Sequence, residues 1–205
     1  MAYPKLLATR SYMREKFNVL ITGCFRLLVL VFSITLVSGC AITNKFGPYM
    51  GRVIDAETAE PIEGAVVYMQ CNTSTANIGG ANTHYADAVE VLTDDKGEFH
   101  IELRVTTFKP GHAWSSYQDI IIFKPGYGAF PEHKEAKVDI LVRDTSHYFP
   151  ENTYVIISLP KLKTKEERKE NVLYNISLPF DAPKYKWKEL ARQVSFERTQ
   201  VGLKP

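Results

Sequence analysis

The residues of this chain best suited to chemistry are its five histidines, His84, His100, His112, His133 and His147, and its three cysteines, Cys24, Cys40 and Cys71. No His-x-x-Glu pair is followed by a later histidine, so that zinc-ligand spacing is absent, and no metal site is expected. His84 and Asp87 stand at i, i+3 but lack a third ligand. Neither a Gly-x-Ser-x-Gly elbow nor a phosphate-cradling glycine loop occurs. Catalysis would therefore have to draw on His84, Asp87 or His112 from loops, as a divergent hydrolase. His112, Trp114, Tyr117, Tyr127 and Phe130 make a second set, aromatic-rich and loop-borne. Such rings can stack on a sugar or a peptide side chain, or close the end of a core. No cofactor is expected.

The cysteines divide by position. Cys40 ends the stretch Leu36-Val37-Ser38-Gly39-Cys40, just behind the apolar run 27–37 that follows Arg26. A basic flank, an apolar core of about 7–15 residues and small residues at the end make a signal segment. An uncleaved anchor over 17–37 would instead place Arg26 near mid-membrane, at roughly 2.5–3.5 kcal/mol. The stretch resembles the lipobox of bacterial lipoproteins. That resemblance implies cleavage before Cys40, diacylation of its thiol and usually acylation of the new amino terminus. Ala41 rather than aspartate follows the cysteine, which by the same resemblance suggests the outer membrane, facing the periplasm or the surface. Met13 offers an alternative start to Met1.

Removing 1–39 takes five of the 25 basic residues and one of the 23 acidic ones, leaving 20 against 22. The mature chain is then slightly acidic, and a nucleic-acid role loses its main electrostatic argument. Cys24 leaves with the signal and Cys40 carries lipid, so Cys71 has no partner for a disulfide. It is expected as a small buried residue rather than a nucleophile.

The segments positioning these groups read as strands. Tyr49 to Asp55 and Pro61 to Met69 are rich in β-branched and aromatic residues and bounded by Gly, Pro and Asp. The polar stretch 71–88 reads as an inserted loop. Val89, Val91 and Thr93 then run into Asp94-Asp95-Lys96-Gly97, a turn closed by a positive-φ glycine rather than a Ca²⁺ loop. Beyond it Phe99, Ile101, Leu103 and Val105 share one face, while Glu98, His100, Glu102 and Arg104 share the other. Strands at 119–123, 138–142 and 153–159 complete seven.

Four motifs occur in order: Gly51-x-Val53-x-Asp55, Pro61-Ile62-x-Gly64-Ala65-x-Val67, Thr93-Asp94-x-x-Gly97-x-Phe99 and Gly126-Tyr127. Together they resemble the carboxypeptidase regulatory-like domain, a transthyretin-like (prealbumin-like) seven-stranded β-sandwich, over 48–160. The resemblance implies an accessory or structural module with no catalytic set to transfer. The transthyretin-like hydrolases of purine catabolism resemble one another in a C-terminal Tyr-Arg-Gly-Ser; this chain ends Val201-Gly-Leu-Lys-Pro205, which speaks against that activity.

After Pro160 the composition becomes charge-rich. Val172, Leu173 and Ile176 suggest a short apolar stripe. Trp187, Leu190, Ala191 and Val194 recur at helical spacing, with Lys184, Lys186, Lys188 and Arg192 around them. This helix either docks on the sandwich or seeks a membrane surface or partner. The expected organisation is a signal helix at 1–39, a lipidated spacer at 40–47, a mainly β sandwich at 48–160 and a helical tail at 161–205. The expected function is non-enzymatic: a lipoprotein held to the membrane through Cys40 that binds or braces an envelope protein or glycan.

Overall fold

The structure, a computed structural model, describes residues 26, 42–107, 111–115, 118–139 and 149–205. The apolar run 27–37, Cys40, Tyr117, His147 and the end of the strand expected at 138–142 lie outside them. Among the described residues the chain runs through β1 (Ile42–Asp55), β2 (Val66–Asn77), β3 (Gly80–Leu92), β4 (Glu98–Thr107), β5 (Ala113–Trp114), β6 (Asp119–Phe123), β7 (Lys137–Asp139) and β8 (Tyr154–Leu159). Helices α1 (Lys165–Tyr174) and α2 (Lys188–Gln200) follow, the second preceded by a 3-10 turn at Lys184–Lys186.

The protein is mainly β. One sheet has the order β4-β1-β8-β7; β1 pairs antiparallel with β4 and parallel with β8. In the other, β2 carries β3 along one edge and both β5 and β6 along the other. The two sheets share one core, with Phe46, Val53, Phe99 and Ile157 meeting Val67, Met69 and Ile122. The alternation in β4 lands as the sequence suggests: Phe99, Ile101 and Val105 are buried, while Glu98, His100, Glu102 and Arg104 are exposed. Gly97 closes the turn before it at φ +73°, and Asp94 accepts from the N–H groups of Lys96 (3.0 Å) and Glu98 (2.8 Å).

Among the described residues eight strands stand where seven were expected, and two segments differ in kind. The stretch 71–88 is not a loop: β2 and β3 continue through it as a paired ladder, from Cys71↔Asp87 to Asn77↔Gly80. Thr73, Thr75 and Thr83 suit a pleated backbone, and Ile78-Gly79 makes a two-residue turn in which Asn77 Oδ1 accepts the Gly79 N–H at 2.8 Å. Polar composition disguised a ladder whose outer part, from Ser74 to His84, buries no residue. Of the spacer expected at 40–47, residues 42–47 are likewise part of β1, which shifts register between Phe46 and Tyr49.

The run Val66-Val67-Tyr68-Met69 is buried without alternation because sheet two is covered twice. Val67 and Met69 face sheet one, whereas Val66 and Tyr68 face the tail, meeting Val172, Trp187, Leu190 and Val194. Helix α1 begins with a capping box, Thr164 with Glu167. Helix α2 has no such local cap. Glu90 of β3 supplies one, accepting from the N–H groups of Glu189 (2.7 Å) and Leu190 (3.0 Å).

Candidate functional site

The residues named for chemistry do not meet in one place. His84 and His112 come together, ring centroids 4.8 Å apart, each held by a threonine of β2. Thr75 Oγ1 lies 3.2 Å from His84 Nε2, and Thr73 Oγ1 lies 3.0 Å from His112 Nδ1. Asp87 is not with them. The β2–β3 register shifts between Cys71↔Asp87 and Asn72↔Tyr85, so a bulge in β3 lies between His84 and Asp87 and re-aims the side chains on either side of it. Asp87 accordingly contacts the Tyr85 hydroxyl (3.3 Å) and the Lys186 ammonium (2.6 Å) on the tail side. The expected His84–Asp87 juxtaposition is therefore not assembled. No group of three or more metal-ligating side chains is found among the described residues.

The aromatic set is similarly dispersed. Trp114 stands edge-on to Phe46 at 5.2 Å, and its buried Nε1 has no hydrogen-bond partner among the described residues. Tyr127 belongs elsewhere, its hydroxyl donating to Asp55 Oδ2 at 3.2 Å. Phe130 is buried in the sandwich core, and Tyr117 lies outside the described residues. Cys71 is fully buried, and burial, with Asp87 and Glu151 adding to it, pushes its thiol up to about 12. So little thiolate forms at neutral pH that the side chain is packing rather than nucleophile.

What the structure does assemble lies on the tail side of sheet two. Tyr68, Gln70 and Asn72 sit at period two on β2, facing the segment that joins α1 to α2. The Tyr68 hydroxyl donates to Gln70 Oε1 (2.7 Å), and Gln70 Nε2 donates to Asn72 Oδ1 (3.0 Å) and Asp181 Oδ2 (2.9 Å). Asn72 Nδ2 donates to Asp119 Oδ2 at 2.7 Å. Gln70 and Asn72 are buried, while both carboxyl-bearing residues are exposed. Burial, reinforced by Tyr85 and the neighbouring carboxylates, drives the Tyr68 hydroxyl far above its ordinary value, which keeps it a donor.

Above this ladder opens a cleft of about 280 Å³, bounded by Tyr68, Gln70, Asp119, Ile121, Pro131 and Asp181. Its chemistry is that of two acceptors fixed from beneath by buried amides, beside apolar walls. A ligand offering ammonium, guanidinium or hydroxyl donors would suit it. None of His112, Trp114 and Tyr127 lines it. Its sequence signal was the non-alternating run at 66–69 followed by Gln70 and Asn72: polar residues continuing a doubly buried strand need partners from a second layer. Comparison with known proteins finds no match to the chain among family models, curated proteins or solved structures.

Proposed function

We propose that the chain is a lipid-anchored envelope protein whose β-sandwich binds or braces an envelope partner without turning it over. The cleft carries this reading: Asp119 and Asp181 present exposed carboxylates on a buried amide ladder, pre-organised for a donor-bearing surface. The motif residues behind the transthyretin-like, carboxypeptidase regulatory-like resemblance support a structural use of the sandwich. A side chain at Gly51 would run into the Val155 carbonyl, and one at Gly97 into that of Val53. Thr93 Oγ1 donates to the Ile62 carbonyl (2.6 Å) and accepts from the Ala65 N–H (2.8 Å). Gly51 is occupied in the close pairing of β1 with β8, and Gly97 and Thr93 in holding turns. The anchor rests on Ser38-Gly39-Cys40 behind the apolar run, and the outer membrane is the proposed location.

The test places a photo-crosslinking residue at Ser177, which lines the cleft, in intact cells. A discrete adduct is expected there and none from Lys96, an exposed turn position. Asp181→Asn should weaken capture about tenfold or more, as the loss of a charge-assisted bond of about 1.5–3 kcal/mol implies. Equal adducts at both positions, or an adduct indifferent to Asp181→Asn, would remove the reading.

A further inference from the structure

The β2–β3 arm and the start of β1 project from the same end of the sandwich. At the opposite end, the Ile62 N–H donates to the Val53 carbonyl. From there β1 traced back to Phe46 and β2 traced forward to Thr73 run the same way, since Phe46 meets Trp114 edge-on and Trp114 pairs with Thr73. Four further residues carry each strand about 13 Å beyond that level, to Ile42 and to Asn77. Among the described residues the arm pairs with no third strand past Ser74, and it ends on Ile78, the most exposed large apolar side chain among them at 111%.

The composition of this end is as distinctive as its position. From Asn72 to Thr83 there is no charged residue. On sheet one, among the described residues, the charges near this end are Lys45, ion-paired with Glu102, Arg104, and Glu151, which accepts from the Gly47 N–H at 3.2 Å. The opposite end is charged throughout: Glu57, Glu60, Glu63, Asp94 and Asp95 are exposed there, with Lys163 paired to Glu57, Lys124 on the Glu63 carbonyl and Arg52 on the Lys96 carbonyl. Charged groups at that end would resist desolvation at a lipid surface, whereas the arm from Asn72 to Thr83 presents none.

We infer that the β2–β3 arm is a membrane-contacting finger, its Ile78 tip seated in the interfacial layer of the bilayer. This rests on the lipid anchor at Cys40. Ile42 follows Cys40 by two residues, which span at most about 7 Å, so an acylated Cys40 holds this end of the sandwich against the lipid with no spacer between. One isoleucine binds a bilayer negligibly alone, but the tether makes its insertion intramolecular, and no charge in the arm has to be desolvated. The finger and the acyl chains then give two contacts, which fix how the sandwich stands on the membrane and turn the charged end outward.

The experiment uses the full acylated chain in vesicles of phosphatidylethanolamine and phosphatidylglycerol. An environment-sensitive fluorophore is placed on Ile78→Cys, or on Asp95→Cys at the far end. Cys71 is buried and does not compete for label. The Ile78 label should be blue-shifted, quenched several-fold more than the Asp95 label by a lipid-borne quencher, and shielded from aqueous iodide. Labelled palmitate incorporation is followed in the same preparations. If the chain is acylated and the two labels quench alike, the finger is wrong and the anchor stands. An absence of acylation removes the anchor and the inference with it. Shielding from iodide without lipid quenching would mean that a protein covers the arm, which also overturns the inference.

Discussion

Asp55 is 5% exposed and stays ionised because of its neighbours. Burial acts against its charge, but the N–H groups of Glu57 (2.8 Å) and Thr58 (3.1 Å) outweigh it. The Tyr127 hydroxyl and the nearby Lys161 act in the same direction, so the carboxyl titrates below its usual range. A lowered folded-state pKa contributes stability that is fully present above the unfolded value of about 3.9 and is lost as pH falls through the folded value. Asp55→Asn should therefore cost about 1–3 kcal/mol at pH 7, and the gap to the parent should narrow on acidification below pH 4. Denaturant melts at several pH values check this; a gap that stays constant into acid would show that the charge is not what stabilises the turn.

At the scale of the element, α2 settles a choice the sequence left open. Its stripe is docked: Trp187, Leu190 and Val194 are 5%, 0% and 3% exposed, and Trp187 Nε1 donates to the Ala182 carbonyl at 3.1 Å. Packing on Tyr68 and Phe123 decides the matter, because only an apolar sheet face recovers the burial that those side chains offer. The lysines stay outside or, for Lys186, pair with Asp87. Trp187→Ala should cost about 3–5 kcal/mol. In a Trp114→Phe background, Trp187 emission should be blue-shifted in unacylated protein and indifferent to added vesicles. An emission shift that needs vesicles, with an unchanged melt for Trp187→Ala, would refute docking.

For the molecule as a whole, the tail closes sheet two through one buried ion pair as well as through apolar contact. Arg168 of α1 grips Glu197 of α2 with two bonds, 2.7 and 2.6 Å, and Glu197, fully buried, also accepts from the Gly126 N–H at 3.2 Å. Removing one partner strands a buried charge, whereas removing both does not. Arg168→Met should cost toward the lower end of about 3–5 kcal/mol, since Arg168 keeps 30% exposure. Arg168→Met with Glu197→Leu should recover most of that loss. A double-mutant cycle measures the coupling; additive losses would show that the two helices are held by packing alone.

By itself the sequence determined those features that a side chain and its near neighbours control. These are the two faces of β4, the glycine-closed turn at 94–97, the buried and inert Cys71 and the apolar stripe of α2. Period and turn chemistry are local, so they survive without knowledge of partners. Tertiary structure alone decided that 71–88 is a hairpin arm rather than a loop, because strand pairing satisfies backbone groups whatever the side chains are. It also parted His84 from Asp87 and Trp114 from Tyr127, since pleat, bulge and register decide which side chains meet. The acceptor pair of the cleft was the least legible. Asp119 and Asp181 are ordinary exposed acids in sequence, and only the stacking of the tail on β2 brings both onto one buried ladder of amides.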